Sequence, residues 1–187
     1  MAMSNTALLI IDVQQGLDDG DFYGGNRNNP QIVENIPTLL TLFRSTHKPI
    51  FHVKHNSINP ASPLHPSKPG NAIHPWAAPI EGEPIFEKTV NSAFVGTTLE
   101  KVLQEQGITR LVVCGLTTNH CVSTSVRMGA NLGFEVLLVG DACATFDRVG
   151  PDGVLRMAED VHMHSLTDVH GEFCQVVNTK EVPDLIK

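Results

Sequence analysis

The chain is poor in the features that announce most functions. It has 187 residues with one tryptophan, one tyrosine and four cysteines, and only 18% of its residues are charged. Thirteen basic residues against twenty acidic ones leave a formal charge of −7, with no Lys/Arg cluster. This argues against a nucleic-acid or anionic-membrane surface, and neither partner is expected. No apolar run approaches the ~18 residues of a membrane span. The opening Met-Ala-Met-Ser-Asn-Thr has no basic region ahead of its apolar run, so a signal peptide is not expected. Cys114, Cys121, Cys143 and Cys174 form no C-x-x-C pair and are too sparse for a stapled secreted scaffold. Free thiols in a reducing cytoplasm is the expectation. No G-x-G-x-x-G follows the first strand, which disfavours a dinucleotide site.

What is present is an alternation of buried strands and amphipathic helices at a length suited to one domain, residues 1–187. Residues 7–13 read as a strand ending in an acid, Asp12. Gln14 to Asn29 reads as a loop, and a helix follows with Ile32, Val33, Ile36, Leu40 and Phe43 as its buried stripe. Pro37 means that this helix is either kinked or starts near Asn35. Pro49–Val53 is a second short strand. Residues 55–84 hold seven of the twelve prolines, and a loop of that length suggests a lid, a subunit contact or a stiffened excursion. A short extended piece ends at Lys88. Thr97-Thr98-Leu99-Glu100 has a capping-box pattern for a helix that stops at Gly107. Strands at 111–114, 134–139 and 174–177, and a helix at 154–164, complete an α/β pattern with a parallel sheet covered on both faces.

The stretch Leu111–Val122 passes from a β-branched apolar run through Gly115, Thr117, Thr118 and Asn119 to Cys121. A helix should follow, with Val122, Val126, Gly129 and Ala130 on one face. Any of the three polar residues could cap it, placing Cys121 near unpaired N–H groups whose dipole favours a thiolate. An acyl-transferring cysteine also needs a proton carrier, a charge that holds it and donors for an oxyanion. The strand ends offer Asp12 and Lys88 for the first two. With ordinary pKa values of ~8.5 for Cys and ~10.4 for Lys, the lysine would favour both thiolate and carboxylate. His120 is expected to support the turn or line the pocket. Phe22, Trp76, Phe94 and Phe146 are candidates for an apolar substrate wall, with Gln14 beside them. His162, Met163, His164 and His170 lack a Cys or acid at ligand spacing and read as a helix end and loop.

Four blocks together resemble the isochorismatase-like cysteine hydrolases, a family that includes nicotinamidases, amidohydrolases and isochorismatases. They are Ile10–Gln14; Lys88 with Ser92-Ala93-Phe94 and Gly96–Leu99; Leu111–Val122; and Val139–Ala142. The resemblance implies a Rossmann-like three-layer α/β/α fold on a mostly parallel sheet of about six strands. It implies an Asp12-Lys88-Cys121 triad, a cis peptide between Leu116 and Thr117, and an oxyanion hole on the N–H groups of Thr117 and Cys121. It also implies a small-molecule substrate and a homo-oligomer, dimeric or tetrameric. Members that cleave the vinyl ether of isochorismate lack the cysteine, so Cys121 favours hydrolysis of an amide, ureide or related C–N bond. Vinyl-ether hydrolysis, and a non-catalytic binding or redox-sensing module, remain the alternatives. Nicotinamidases hold a metal with an Asp and several His, whereas residues 51–80 here contain no acid. His52 and His55 would point to opposite faces of a strand. Neither a metal nor a cofactor is therefore expected.

Overall fold

The structure, a computed structural model, describes residues 5–187. Met1 to Ser4, on which part of the signal-peptide reading rests, lie outside the described residues. Six strands form one sheet: β1 (Thr6–Ile11), β2 (Ile50–His55), β3 (Ile85–Lys88), β4 (Arg110–Leu116), β5 (Glu135–Ala144) and, last in the chain, β8 (Gln175–Val177). Their order is β3-β2-β1-β4-β5-β8 and every pairing is parallel. β1 and the apolar part of β4 are buried on both faces, which is why they read as unbroken aliphatic runs. Two two-residue strands, β6 (Arg148–Val149) and β7 (Leu155–Arg156), form a separate antiparallel hairpin.

The helices are α1 (Gly20–Tyr23), α2 (Ile32–Ser45), α3 (Leu99–Glu105), α4 (Ser123–Asn131), α5 (Ala158–Val169) and α6 (Val182–Leu185). The β1-α2-β2 and β4-α4-β5 crossovers run in opposite directions along the sheet, so right-handed connections put α2 and α4 on opposite faces. This is the three-layer α/β/α arrangement. α2 starts at Ile32 and carries Pro37 within it. The proline removes an N–H from the Val33 carbonyl, on a side of the helix where solvent can replace it. Val33 is accordingly 42% exposed, and Leu39 takes its place in the buried stripe.

Several local readings are corrected. β5 does not stop at Gly140-Asp141 but runs to Ala144, and the Asp141 carboxylate accepts bonds from the N–H and hydroxyl of Thr179, both at 2.8 Å. The segment 154–157 is hairpin, and helix α5 begins only at Ala158. Asp147 accepts from the Ala158 N–H at 2.7 Å, so this helix is capped from another part of the chain. The Thr97–Glu100 capping box does not form: the Thr97 hydroxyl accepts from the Leu99 N–H at 3.3 Å, and α3 starts after Thr98 with no side-chain cap from that residue.

Gly115 shapes the end of β4. Its φ is +126°, and a Cβ there would overlap the Ile11 carbonyl of the adjacent strand. The β4–β5 register also shifts between Val113 and Gly115, a bulge that re-aims the chain just before the site. Gly115→Ala should therefore cost roughly 3 kcal/mol or more, read as a lowered denaturant midpoint.

Candidate active site

The order of the sheet reverses between β1 and β4, the position where open α/β sheets leave a crevice beyond their carboxyl ends. Asp12 is the first residue past β1, with a left-handed φ of 52°. Its own N–H donates to Val53 of β2 at 2.9 Å, which fixes the backbone from which the carboxylate projects. Lys88 ends the edge strand β3 and reaches across β2 toward it. On the other side, the Leu116–Thr117 peptide is cis and leads into a π-helical turn, Thr118–Val122, that carries Cys121.

No side chain caps that turn, contrary to expectation. The candidate caps are engaged elsewhere: the Thr118 hydroxyl is 2.8 Å from His162 Nδ1, and Asn119 Oδ1 accepts from Thr145 at 2.6 Å. The Thr117 carbonyl receives the N–H groups of His120 and Val122 instead.

The three groups meet in a nearly dry corner. Lys88 Nζ lies 2.6 Å from Asp12 Oδ2, 3.2 Å from Cys121 Sγ and 3.2 Å from His55 Nδ1. An ammonium has three protons to donate, and here each has an acceptor. Both Lys88 and Asp12 are 2% exposed. Asp12 Oδ1 is buried without a hydrogen-bond partner, an expensive condition unless something transient supplies one. An Asp12 oxygen, a His55 nitrogen and Cys121 Sγ all lie within 4.8 Å of one another.

Burial decides the state of the sulfur. It pushes the Cys121 thiol up to about 12; Asp12 adds to the rise and Lys88 offsets only part of it. The thiolate expected from a helix terminus and a lysine is thus replaced by a resting thiol beside a carboxylate. His55 is held below the ordinary imidazole range by burial first and by Lys88 second, so it sits neutral with Nδ1 toward the ammonium.

Asp12, His55 and Cys121 are the one cluster of three metal-competent side chains among the described residues. Lys88 Nζ stands against all three, so a metal ion would have to displace a buried ammonium or bear its repulsion. The donor set does not suit a resident cation.

The corner opens into a cavity of about 320 Å³. Asp12, Thr117, His120 and Cys121 line it, as do Phe22 and Phe146. Gln14, Trp76 and Phe94 do not. The Gln14 side chain is spent on the His55 N–H and carbonyl and on the Asn71 carbonyl, pinning the long 55–84 loop. Trp76 stacks on His74, and Phe94 stacks on Phe134 in the core. Tyr23, Ser57, Ser62, Asn91, Thr145 and Arg148 also line the cavity and were not singled out in the sequence, and His55, weighed there only as a metal ligand, lines it too. For His55 a signal existed, its place at the carboxyl end of β2 next to Lys88 in register. A larger cavity of about 830 Å³ lies between α5 and the β5–β8 edge, but no cysteine or lysine lines it.

His162 carries a separate consequence. Held between Thr118 and Asn29, it is driven by burial down to about 4. The unfolded chain binds its proton near 6.5 and the folded chain does not, so its contribution is present above pH 6.5 and lost as pH falls toward 4. The unfolding free energy should drop by about 3 kcal/mol across that window, and His162→Gln should flatten the profile.

Together, the fold and the cavity define an α/β protein with a thiol, a carboxylate and an ammonium at its switch point. The profile of the Isochorismatase domain matches residues 6–181. A Bacillus subtilis isochorismatase-family protein, YrdC, is 41% identical over 97% of this chain and 96% of its own length. A hydrolase of the isochorismatase family from Chromobacterium violaceum superposes with a TM-score of 0.94 at 39% identity, covering 100% of this chain and 95% of that one. A streptothricin hydrolase from Streptomyces noursei is 31% identical over 75% of this chain and 50% of its own length. The chain belongs to the isochorismatase family and is an enzyme of its hydrolase class.

Proposed function

We propose that the chain forms one catalytic domain that hydrolyses a small amide, ureide or related C–N bond through a thioester on Cys121. The observation that carries this reading is the contact of Lys88 Nζ with both Asp12 Oδ2 and Cys121 Sγ at the inner wall of the cavity. Asp12 Oδ1 has no partner in the resting site and is the acceptor for the thiol proton as sulfur attacks the carbonyl carbon. The oxyanion that forms is received by the N–H groups of Thr117 and Cys121. Asp12 then hands the proton to the leaving nitrogen, the C–N bond breaks, and an amine or ammonia departs. Water attacks the thioester with Asp12 again as base, which releases the acid and restores the thiol. Lys88 holds the Asp12 carboxylate in place through the buried ion pair.

The test is a screen for ammonia or amine release over small amides, carbamoyl compounds and ureides, with mass spectrometry of the quenched enzyme. A substrate-derived acyl mass on the Cys121 peptide is expected. Turnover that survives Cys121→Ala but not Asp12→Asn would point instead to vinyl-ether hydrolysis. No release from any compound, with reversible oxidation at Cys121, would point to a redox-sensing module.

A further inference from the structure

The cavity of about 830 Å³ between α5 and the β5–β8 edge shares no lining residue with the catalytic one. α5 gives it Glu159, Met163 and Leu166, spaced i, i+4 and i+7 on one helix face, and β8 adds Val176. That stripe runs along about 10 Å of helix, so the space suits a long, narrow occupant.

Two independent features mark it as a ligand site. The first is Asn28, a wall residue only 2% exposed. Its N–H donates to the Thr145 carbonyl at 3.1 Å, and its Oδ1 accepts the Thr145 N–H at 2.7 Å. Its Nδ2 is buried with no partner, a costly condition unless a ligand brings an acceptor. Thr145 lines the catalytic cavity and Asn28 lines this one, so the unpaired Nδ2 is turned toward the α5 side.

The second feature is charge. Asp141, Glu159 and Asp160 line the cavity, and no lysine or arginine does. Among the described residues none of the three carboxylates has an ion-pair partner. Glu159 and Asp160 suit the positive end of the α5 dipole and alone would call for no ligand. Asp141 stands on β5 instead, and Thr179 uses only its Oδ1. His162 supplies no balancing cation, since burial drives it down to about 4.

We propose that this cavity is a second small-molecule site, separate from the catalytic one, that takes an elongated organic cation. Its ammonium would face the carboxylates, its apolar body would lie along Met163, Leu166 and Val176, and an acceptor atom would meet Asn28 Nδ2. The site stands whatever reaction Cys121 performs.

The probe is 6-aminohexanol, which joins an ammonium to a hydroxyl acceptor through six methylenes. It is titrated by calorimetry into enzyme whose Cys121 has first been alkylated with iodoacetamide, so that the catalytic cavity is blocked. Saturable binding is expected, about tenfold or more tighter than that of 1,6-hexanediol, which lacks the charge. The anion 6-hydroxyhexanoate should not bind, and hexylamine, without an acceptor, should bind about fivefold more weakly. Glu159→Gln with Asp160→Asn, both exposed, should remove most of the advantage over the diol. Met163→Trp, at a position 60% exposed, should fill the groove and abolish binding. Equal binding of amine and diol by the unmutated enzyme overturns the proposal without reference to any variant. An advantage unchanged in the Glu159→Gln, Asp160→Asn protein, or binding untouched by Met163→Trp, overturns it by placing the amine elsewhere. Binding seen only before alkylation also overturns it, because the amine would then occupy the catalytic cavity.

Discussion

Replacing Cys121 by alanine is expected to lower turnover by about 10⁴-fold or more while leaving the fold in place, because a covalent route cannot run without its nucleophile. The stability change should stay within about 1 kcal/mol. The residue is only half-buried and sits on a turn whose backbone bonds do not involve its sulfur. Steady-state release assays and a thermal melt on the same preparation check both halves. Cys114, Cys143 and Cys174 are buried elsewhere, so none can substitute for it. A variant retaining most of its activity would refute the thioester mechanism. Because the resting sulfur is a thiol rather than a thiolate, activity should depend on Asp12 as strongly as on Cys121 itself.

That dependence gives the second large effect. Asp12 and Lys88 form an ion pair at 2.6 Å with both side chains almost fully buried. Asp12→Asn leaves an unpaired ammonium in that corner, and Lys88→Met leaves an unpaired carboxylate. Each should cost about 3–5 kcal/mol of unfolding free energy. The double variant removes both charges and should be more stable than the sum of the single losses allows, with a coupling of about 2 kcal/mol or more. All three proteins should be inactive. A double-mutant cycle in urea, read beside the release assay, separates the contribution of the pair to stability from its role in the reaction. Additive losses would mean that the two charges do not sense each other.

How much of this was legible in the sequence depended on how local the determinant was. β1 and β4 read correctly because a strand buried on both faces needs nothing beyond its own aliphatic run. The start of α5 did not, because its cap is the carboxylate of Asp147, eleven residues upstream across a hairpin. The turn before α4 misled for the same reason. Thr118 and Asn119 have the chemistry of caps, but α5 and the end of β5 compete for their side chains. At the site, residue types at strand ends put Asp12, Lys88 and Cys121 forward, and the structure brings the three side chains together. The protonation state of the sulfur was misjudged, since burial outweighs both the lysine and the turn, and burial is a property of the folded whole. Trp76 and Phe94 were plausible as wall residues by type alone. Arg148 was missed because nothing in its local sequence marks it as a residue of the cavity wall.

Lys88 sits on β3, a four-residue strand at one edge of the sheet, where β2 is its single neighbour. The β1–β4 seam that holds Asp12 and leads to Cys121 lies in the middle of the sheet and should be among the last parts to open. The chemistry proposed above thus depends on a strand held from one side only. An undocking of β3 too small to unfold the protein would carry the ammonium away and leave thiol and carboxylate facing each other without it. Under the mechanism proposed above, catalytic competence reports on the fastening of one sheet margin, and anything that tightens or loosens that margin acts as a throttle on the reaction.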